Sequence, residues 1–129
     1  PQELAEYLSL TKVAYVQEYL PHERDLRVVL INYKPVLSYW RIRSPENFRT
    51  NLSQGGRISF EQIPVEGIEL ALESAKKCKF NDVGMDLIKS KGKWHVIEAN
   101  MKYGRKGLKI KGLDLKKIMR QKLLSGEIF

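Results

Sequence analysis

Two runs, VGMDLIKS (83–90) and KWHVIEAN (93–100), flank a Lys91-Gly92 pair, and each carries a carboxylate where a buried strand should stay apolar. Runs of this length, rich in Val and Ile and separated by a glycine-bearing turn, predict a β-hairpin. Successive strand side chains point to opposite faces, so Glu98 and Asn100 share one face. Whether Asp86 joins them depends on the turn. A three-residue loop, Lys91-Gly92-Lys93, pairs Ser90 with Trp94 and Asp86 with Glu98, with Gly92 or a neighbour supplying left-handed backbone. A two-residue loop sends the two acids to opposite faces. The three-residue loop is the expectation.

Two carboxylates opposed across a hairpin stand about 5 Å apart and repel unless a cation lies between them. Carboxylate and amide oxygens are the ligands that Mg²⁺ takes, with substrate phosphates completing its octahedron. Pairing with Lys or Arg across the sheet neutralises the same acids, and on the pattern alone both readings stand.

The remaining segments predict an α+β fold, a mostly antiparallel sheet with helices packed on one face and no alternating βαβ series. Leu4, Tyr7 and Leu8 have helical spacing, and VAYVQEYL (13–20) is β-branched and aromatic, a strand signal. LRVVLI (26–31) and VLSYWRI (36–42) flank NYKP as a second hairpin, and residues 43–57 form a long polar loop ending near Gly55-Gly56. A short strand follows at 58–63. From Val65 the period changes: Ile68, Ala71, Leu72, Ala75 and Cys78 make the apolar stripe of a helix over about 66–79. A Gly-rich basic loop (101–112) leads to a helix from Asp114, a plausible N-cap, to about Leu124.

A chain of 129 residues is the size of one domain, and 43% hydrophobic with 29% charged residues places it among folded globular chains. No apolar run approaches the roughly 18 residues of a membrane span, and the start PQELAEYLSL has no signal-peptide pattern, so the expectation is cytoplasmic. The single Cys78 cannot form an internal disulfide and reads as a small buried hydrophobe on its helix. The net charge of +8 is uneven: Lys102 to Lys122 holds nine Lys or Arg against one acid, Asp114. Such a segment attracts an anion or forms a solvated face. A nucleic-acid-binding module is the rival it raises, although the chain carries no aromatic RNA-binding motif or zinc spacing.

Taken together, YVQEYL followed by DLRV, then FRTNLSQGG, VGMDLI and HVIEAN resemble, in that order, the C-terminal part of RimK-type ATP-grasp carboxylate–amine ligases of the alpha-L-glutamate ligase kind. The resemblance runs from about Ala14 to Leu115. It implies an ATP-dependent ligase that forms an amide through an acyl phosphate, with glutamate added to a carboxylate acceptor. It implies ATP and two Mg²⁺ or Mn²⁺ ions as cofactors, with Asp86, Glu98 and Asn100 as metal ligands and Glu98 bridging. Backbone groups of Glu18 and Leu20 would hold adenine, and Asp25, with Glu23 in reserve, the ribose. Arg27 would face the phosphates or substrate carboxylate, or else pair with Asp86 or Glu98. Arg49 would sit on the phosphates and Asn51 beside the substrate, under a loop closed by Gly55-Gly56. Arg41 would contact the acyl group or leave the sheet as a surface charge.

Such chemistry needs no protein nucleophile, which fits a chain with only two histidines. Neither receives a catalytic role: His22 lies in a polar connection, and His95 falls on the strand face opposite Glu98. After Asn100 the family carries small residues and Pro, whereas this chain has MKYGRKG, in which Gly104 and Gly107 match. Lys102, Arg105 and Lys106 would then meet an acidic acceptor or solvent. The expected organisation is a single domain over 1–129, the second half of an ATP-grasp domain. The N-terminal domain and first grasp lobe would come in cis or in trans. Without them the chain alone is expected to be inactive, and homo-oligomerisation stays open.

Overall fold

Among the described residues five strands form one antiparallel sheet in the order β3-β2-β1-β4-β5. They are β1 (Arg24–Ile31), β2 (Lys34–Ile42), β3 (Arg57–Ser59), β4 (Asp82–Ser90) and β5 (Lys93–Asn100). The helices are α1 (Gln2–Leu10), α2 (Val65–Cys78), α3 (Lys106–Ile110) and α4 (Leu115–Leu124). The computed structural model describes residues 2–11, 13–43, 57–104, 106–110 and 112–127. No helix among them is long and apolar enough to cross a membrane.

The sheet has two differently used faces. On one, Leu26, Val28, Leu30, Trp40, Val83, Met85 and Leu87 bury themselves under Ala71 and Ala75 of α2. On the other, Ile31 packs at one end with Leu108 of α3 and Leu115 of α4. Helices therefore cover parts of both faces rather than one. The rest of that second face carries charge, because β1 alternates Asp25 and Arg27 with the apolar residues it sends to α2.

α2 keeps the expected stripe but not its end. Its last turn closes on Lys79 in the left-handed conformation (φ 58°), and the Phe80 N–H reaches back to the Ala75 carbonyl at 2.8 Å. Phe80 then packs on the core in the manner of a helix stop. Cys78 lies past the last core contact and is exposed, contrary to the buried reading. Asp114 does cap α4, accepting the Lys116 N–H at 2.9 Å.

The strand expected over 13–20 does not form. Tyr15 is 84% and Val16 82% exposed, with no strand among the described residues beside them. A β-branched run favours a strand only where neighbours supply a sheet to pack against. The first hairpin turns on Asn32-Tyr33, both at positive φ, so Lys34 and Pro35 belong to β2 rather than to the loop. β3 ends at Ser59, shorter than the 58–63 expected.

The second hairpin also turns on two residues, Lys91 (φ 50°) and Gly92 (φ 78°), and pairs Ser90 with Lys93. The three-residue loop is thus corrected. Positive φ at both central positions matches the twist of the flanking strands, which is why the tight turn wins. The pairing then proceeds Lys89–Trp94, Ile88–His95 and Leu87–Val96, and shifts so that Asp86 opposes Glu98. Ile97 is the extra residue of a β-bulge. The bulge restores the alignment that the short turn removes, and it also brings His95, opposite Ile88, to the face of Asp86 and Glu98.

Candidate functional site

Cross-strand register places four side chains in one line across the charged face. Tyr39 of β2 opposes Arg27 of β1, Arg27 opposes Asp86 of β4, and Asp86 opposes Glu98 of β5. One row along, Asp25 opposes Arg41, and on the other side Gly84 opposes Asn100. Strand alternation puts all of these on one face, and Glu98 is exposed there.

The centre of this face is an ion-pair network. Arg27 grips Asp86 with both arms of its fork, Nε on Oδ1 and Nη2 on Oδ2 at 2.7 Å. Arg41 bridges two acids, with Nε 2.5 Å from Asp25 Oδ1 and Nη2 2.7 Å from Asp86 Oδ2. The Asp86 side chain is only 1% exposed and that of Arg41 16%. Burial opposes the Arg41 charge, but its hydrogen bond to Asp25 and the field of Asp86 outweigh that and raise its pKa. Burial likewise raises the pKa of Tyr39 above its ordinary value, with Arg27 and Arg41 pulling it part of the way back.

Asp86 is therefore paired with arginine, as the cross-sheet alternative expects, and Arg41 lies largely buried between Asp25 and Asp86 rather than leaving the sheet as a surface charge. Glu98 has no ion pair among the described residues. Asn100 accepts the Lys102 N–H through Oδ1 at 2.8 Å, closing the turn after β5. Tyr103 then lies back over the sheet. Its hydroxyl donates to Asp82 Oδ1 at 3.0 Å, and a Cβ at Gly84 would come within 2.6 Å of the Tyr103 Cβ. Only glycine at 84 lets Tyr103 settle this close to β4, where it packs with Ile31, Leu108 and Leu115.

The donor chemistry suits a hard divalent cation: an exposed carboxylate, a buried carboxylate and an amide oxygen on adjacent strands. Among the described residues no cluster of three or more Asp, Glu, His or Cys is placed to hold a metal.

The segment expected to meet adenine runs just ahead of β1. Arg43 holds it, donating from Nη1 to the Tyr19 hydroxyl at 2.9 Å and from Nη2 to His22 Nε2 at 3.0 Å. His22 consequently carries its proton on Nδ1, which donates to the Leu20 carbonyl at 2.6 Å. Arg43 is a structural residue of this segment that sequence reasoning passed over, since it sits two residues beyond Arg41 and carried no motif of its own; His22, given no catalytic role, is its partner. Glu18 is exposed, Glu23 is exposed at the start of β1, and Asp25 is buried. Arg49, Asn51 and Gly55-Gly56 lie outside the described residues, as do Arg105 and the side chain of Lys106. A cavity of about 450 Å³ opens on the α2 side of the sheet, lined by His22, Glu23, Arg24, Trp40, Lys89 and Trp94, and so borders this segment rather than Asp86 or Glu98.

The chain belongs to the RimK-like ATP-grasp domain family, whose profile matches residues 1–123. It is 29% identical over 121 residues to the coenzyme gamma-F420-2:alpha-L-glutamate ligase of Methanococcus maripaludis, covering 90% of this chain and 42% of that protein. It is 32% identical over 112 residues to a probable alpha-L-glutamate ligase 1 of Shewanella frigidimarina, covering 84% of this chain and 37% of the relative. Its fold is similar to that of the ATP-grasp ligase PsnB, with TM-scores of 0.63 for the complex with minimal precursor and 0.59 for the complex that also holds Mg and ADP. Both are 22% identical, covering 84% and 81% of this chain and 36% and 35% of PsnB. The chain thus spans less than half the length of these relatives.

Proposed function

We propose that this chain is the nucleotide- and metal-binding lobe of an ATP-dependent carboxylate–amine ligase that adds glutamate to a carboxylate acceptor. The observation that carries this reading is the row Arg27–Asp86–Glu98 with Asn100 beside it, guanidinium and hard oxygen donors on one open sheet face. The family membership and the glutamate ligases among the relatives support it.

Asp86, Glu98 and Asn100 would hold two Mg²⁺ or Mn²⁺ ions, with Glu98, the exposed carboxylate, reaching both. Bound Mg-ATP would supply the phosphoryl group that activates the acceptor as an acyl phosphate, releasing ADP, and the glutamate amine would then attack the acyl carbon and displace phosphate to form the amide. Arg27 and Arg49 would take the phosphate charge, Asn51 would sit beside the substrate, and backbone groups of Glu18 and Leu20 would hold adenine. His22 and Arg43 fix the path of that segment. For the ribose, Glu23 offers an exposed carboxylate, whereas Asp25 already carries Arg41. The chain would serve as the second half of an ATP-grasp domain, with the other lobe in cis or in trans completing the site.

Calorimetry of the chain with Mg-ATP tests the reading. Binding that disappears in Glu98→Gln, in a variant with an unchanged thermal melt, is the expected result. No heat at millimolar nucleotide in a folded sample, or binding indifferent to Glu98→Gln, would count against it.

A further inference from the structure

Asp86 is more heavily occupied than a metal ligand awaiting its ion should be. A carboxylate offers about four lone-pair sites, and three guanidinium N–H groups already use them: Arg27 Nε on Oδ1, and Arg27 Nη2 and Arg41 Nη2 on Oδ2. Among the described residues the patch holds three carboxylates, of Asp25, Asp86 and Glu98, and two guanidinia, so much of its negative charge is already compensated before a dication arrives. Bare Mg²⁺ would have to strip arginine from a side chain that is 1% exposed, and would leave two cations beside a third.

The two arginines are not equivalent. Arg27 stands directly opposite Asp86 in the sheet and holds it with both arms. Arg41 comes from the next strand over, contributes one bond to Asp86, and keeps a second anchor on Asp25. Its Nη2 can therefore leave Asp86 while Asp25 continues to compensate the guanidinium.

We propose that Arg41 gates Asp86: it keeps the carboxylate neutralised in the empty site, so that a divalent cation is rejected alone and admitted only with a nucleotide's phosphates. The phosphates attract the displaced Nη2 and furnish the negative charge that the patch lacks. Asp25 is the holding point that makes the exchange reversible. Arg41 is in this sense a positioning residue, acting through Asp86. This inference rests on the metal-site reading above.

The test is titration of the chain with Mn²⁺ in the absence of nucleotide, followed by the loss of the free-ion electron paramagnetic resonance signal. Arg41→Met should bind bare Mn²⁺ at least about tenfold more tightly than the unaltered chain, and Glu98→Gln in that background should remove the gain. Arg41→Lys, which keeps a cation near Asp25 but lacks the fork that spans both acids, should show the same direction with a smaller gain and covers the case that the methionine variant does not fold. Equilibrium dialysis of labelled ADP with and without Mn²⁺ separates the two levels of the argument. Mn²⁺-dependent retention of ADP by the unaltered chain, with no gain in either Arg41 variant, overturns the gate and leaves the metal lobe standing. Absence of both overturns both.

Discussion

Asp86 and Glu98 face each other across β4 and β5 because two irregularities cancel: a turn one residue too short and a strand one residue too long. The extra residue, Ile97, is thereby responsible for the alignment of the acids. Deleting it should keep the two-residue turn and move Glu98 out of line with Asp86. The expected result is a cooperative thermal melt with loss of Mg-nucleotide binding by calorimetry. Retained binding would show that the alignment is dispensable.

Asp86 is the shared acceptor of two buried guanidinia, so its removal strands charge in the sheet. Asp86→Ala should cost about 3–5 kcal/mol in urea unfolding, a large part of the roughly 5–15 kcal/mol that holds a domain together. By contrast, breaking the fully exposed Glu73–Lys77 pair on α2 with Lys77→Ala should leave the midpoint where it was.

Gly84 is a packing requirement of Tyr103. Gly84→Ala places a methyl 2.6 Å from the Tyr103 Cβ and 3.3 Å from the Arg27 Cδ, and should destabilise by about 1–3 kcal/mol. Tyr103→Gly in the same chain should return part of that loss. A double-mutant cycle showing simple additivity would argue against the contact.

Tyr39 sets the alkaline limit of this face. Its neutral phenol is favoured by burial, so the folded chain keeps a proton that the unfolded chain gives up above about pH 10. Stability contributed by Tyr39 is therefore present below that pH and lost as pH rises through the folded value. Chemical unfolding at stepped alkaline pH should show this decline, and Tyr39→Phe should flatten it.

Much of the architecture was legible because it rests on local patterns. The 3.6-residue stripe of α2, the Asp114 cap, and the alternation that puts Glu98 beside Asn100 all follow from neighbouring residues. What escaped prediction depends on partners distant in sequence. Residues 13–20 have strand composition but no neighbouring strand among the described residues, and composition alone cannot supply one. Cys78 fits the helical stripe, yet burial along α2 ended with Ala75, a turn before the chain reversed at Lys79. The Ile97 bulge has no signature, since an apolar residue there suits either register. Arg41 was assigned alternatives at the substrate or in solvent; its place between Asp25 and Asp86 is set by three strands at once.

The paired defects of the β4–β5 hairpin turn its length into a parity condition. A single insertion or deletion on either side of the Lys91-Gly92 turn inverts the acids, whereas two compensating changes leave them aligned. Relatives that carry the same carboxylates should accordingly vary in this hairpin by matched steps, a longer turn accompanying a straighter strand. Sequence comparison that scores turn and bulge separately would see two unrelated gaps; at the site they are one event.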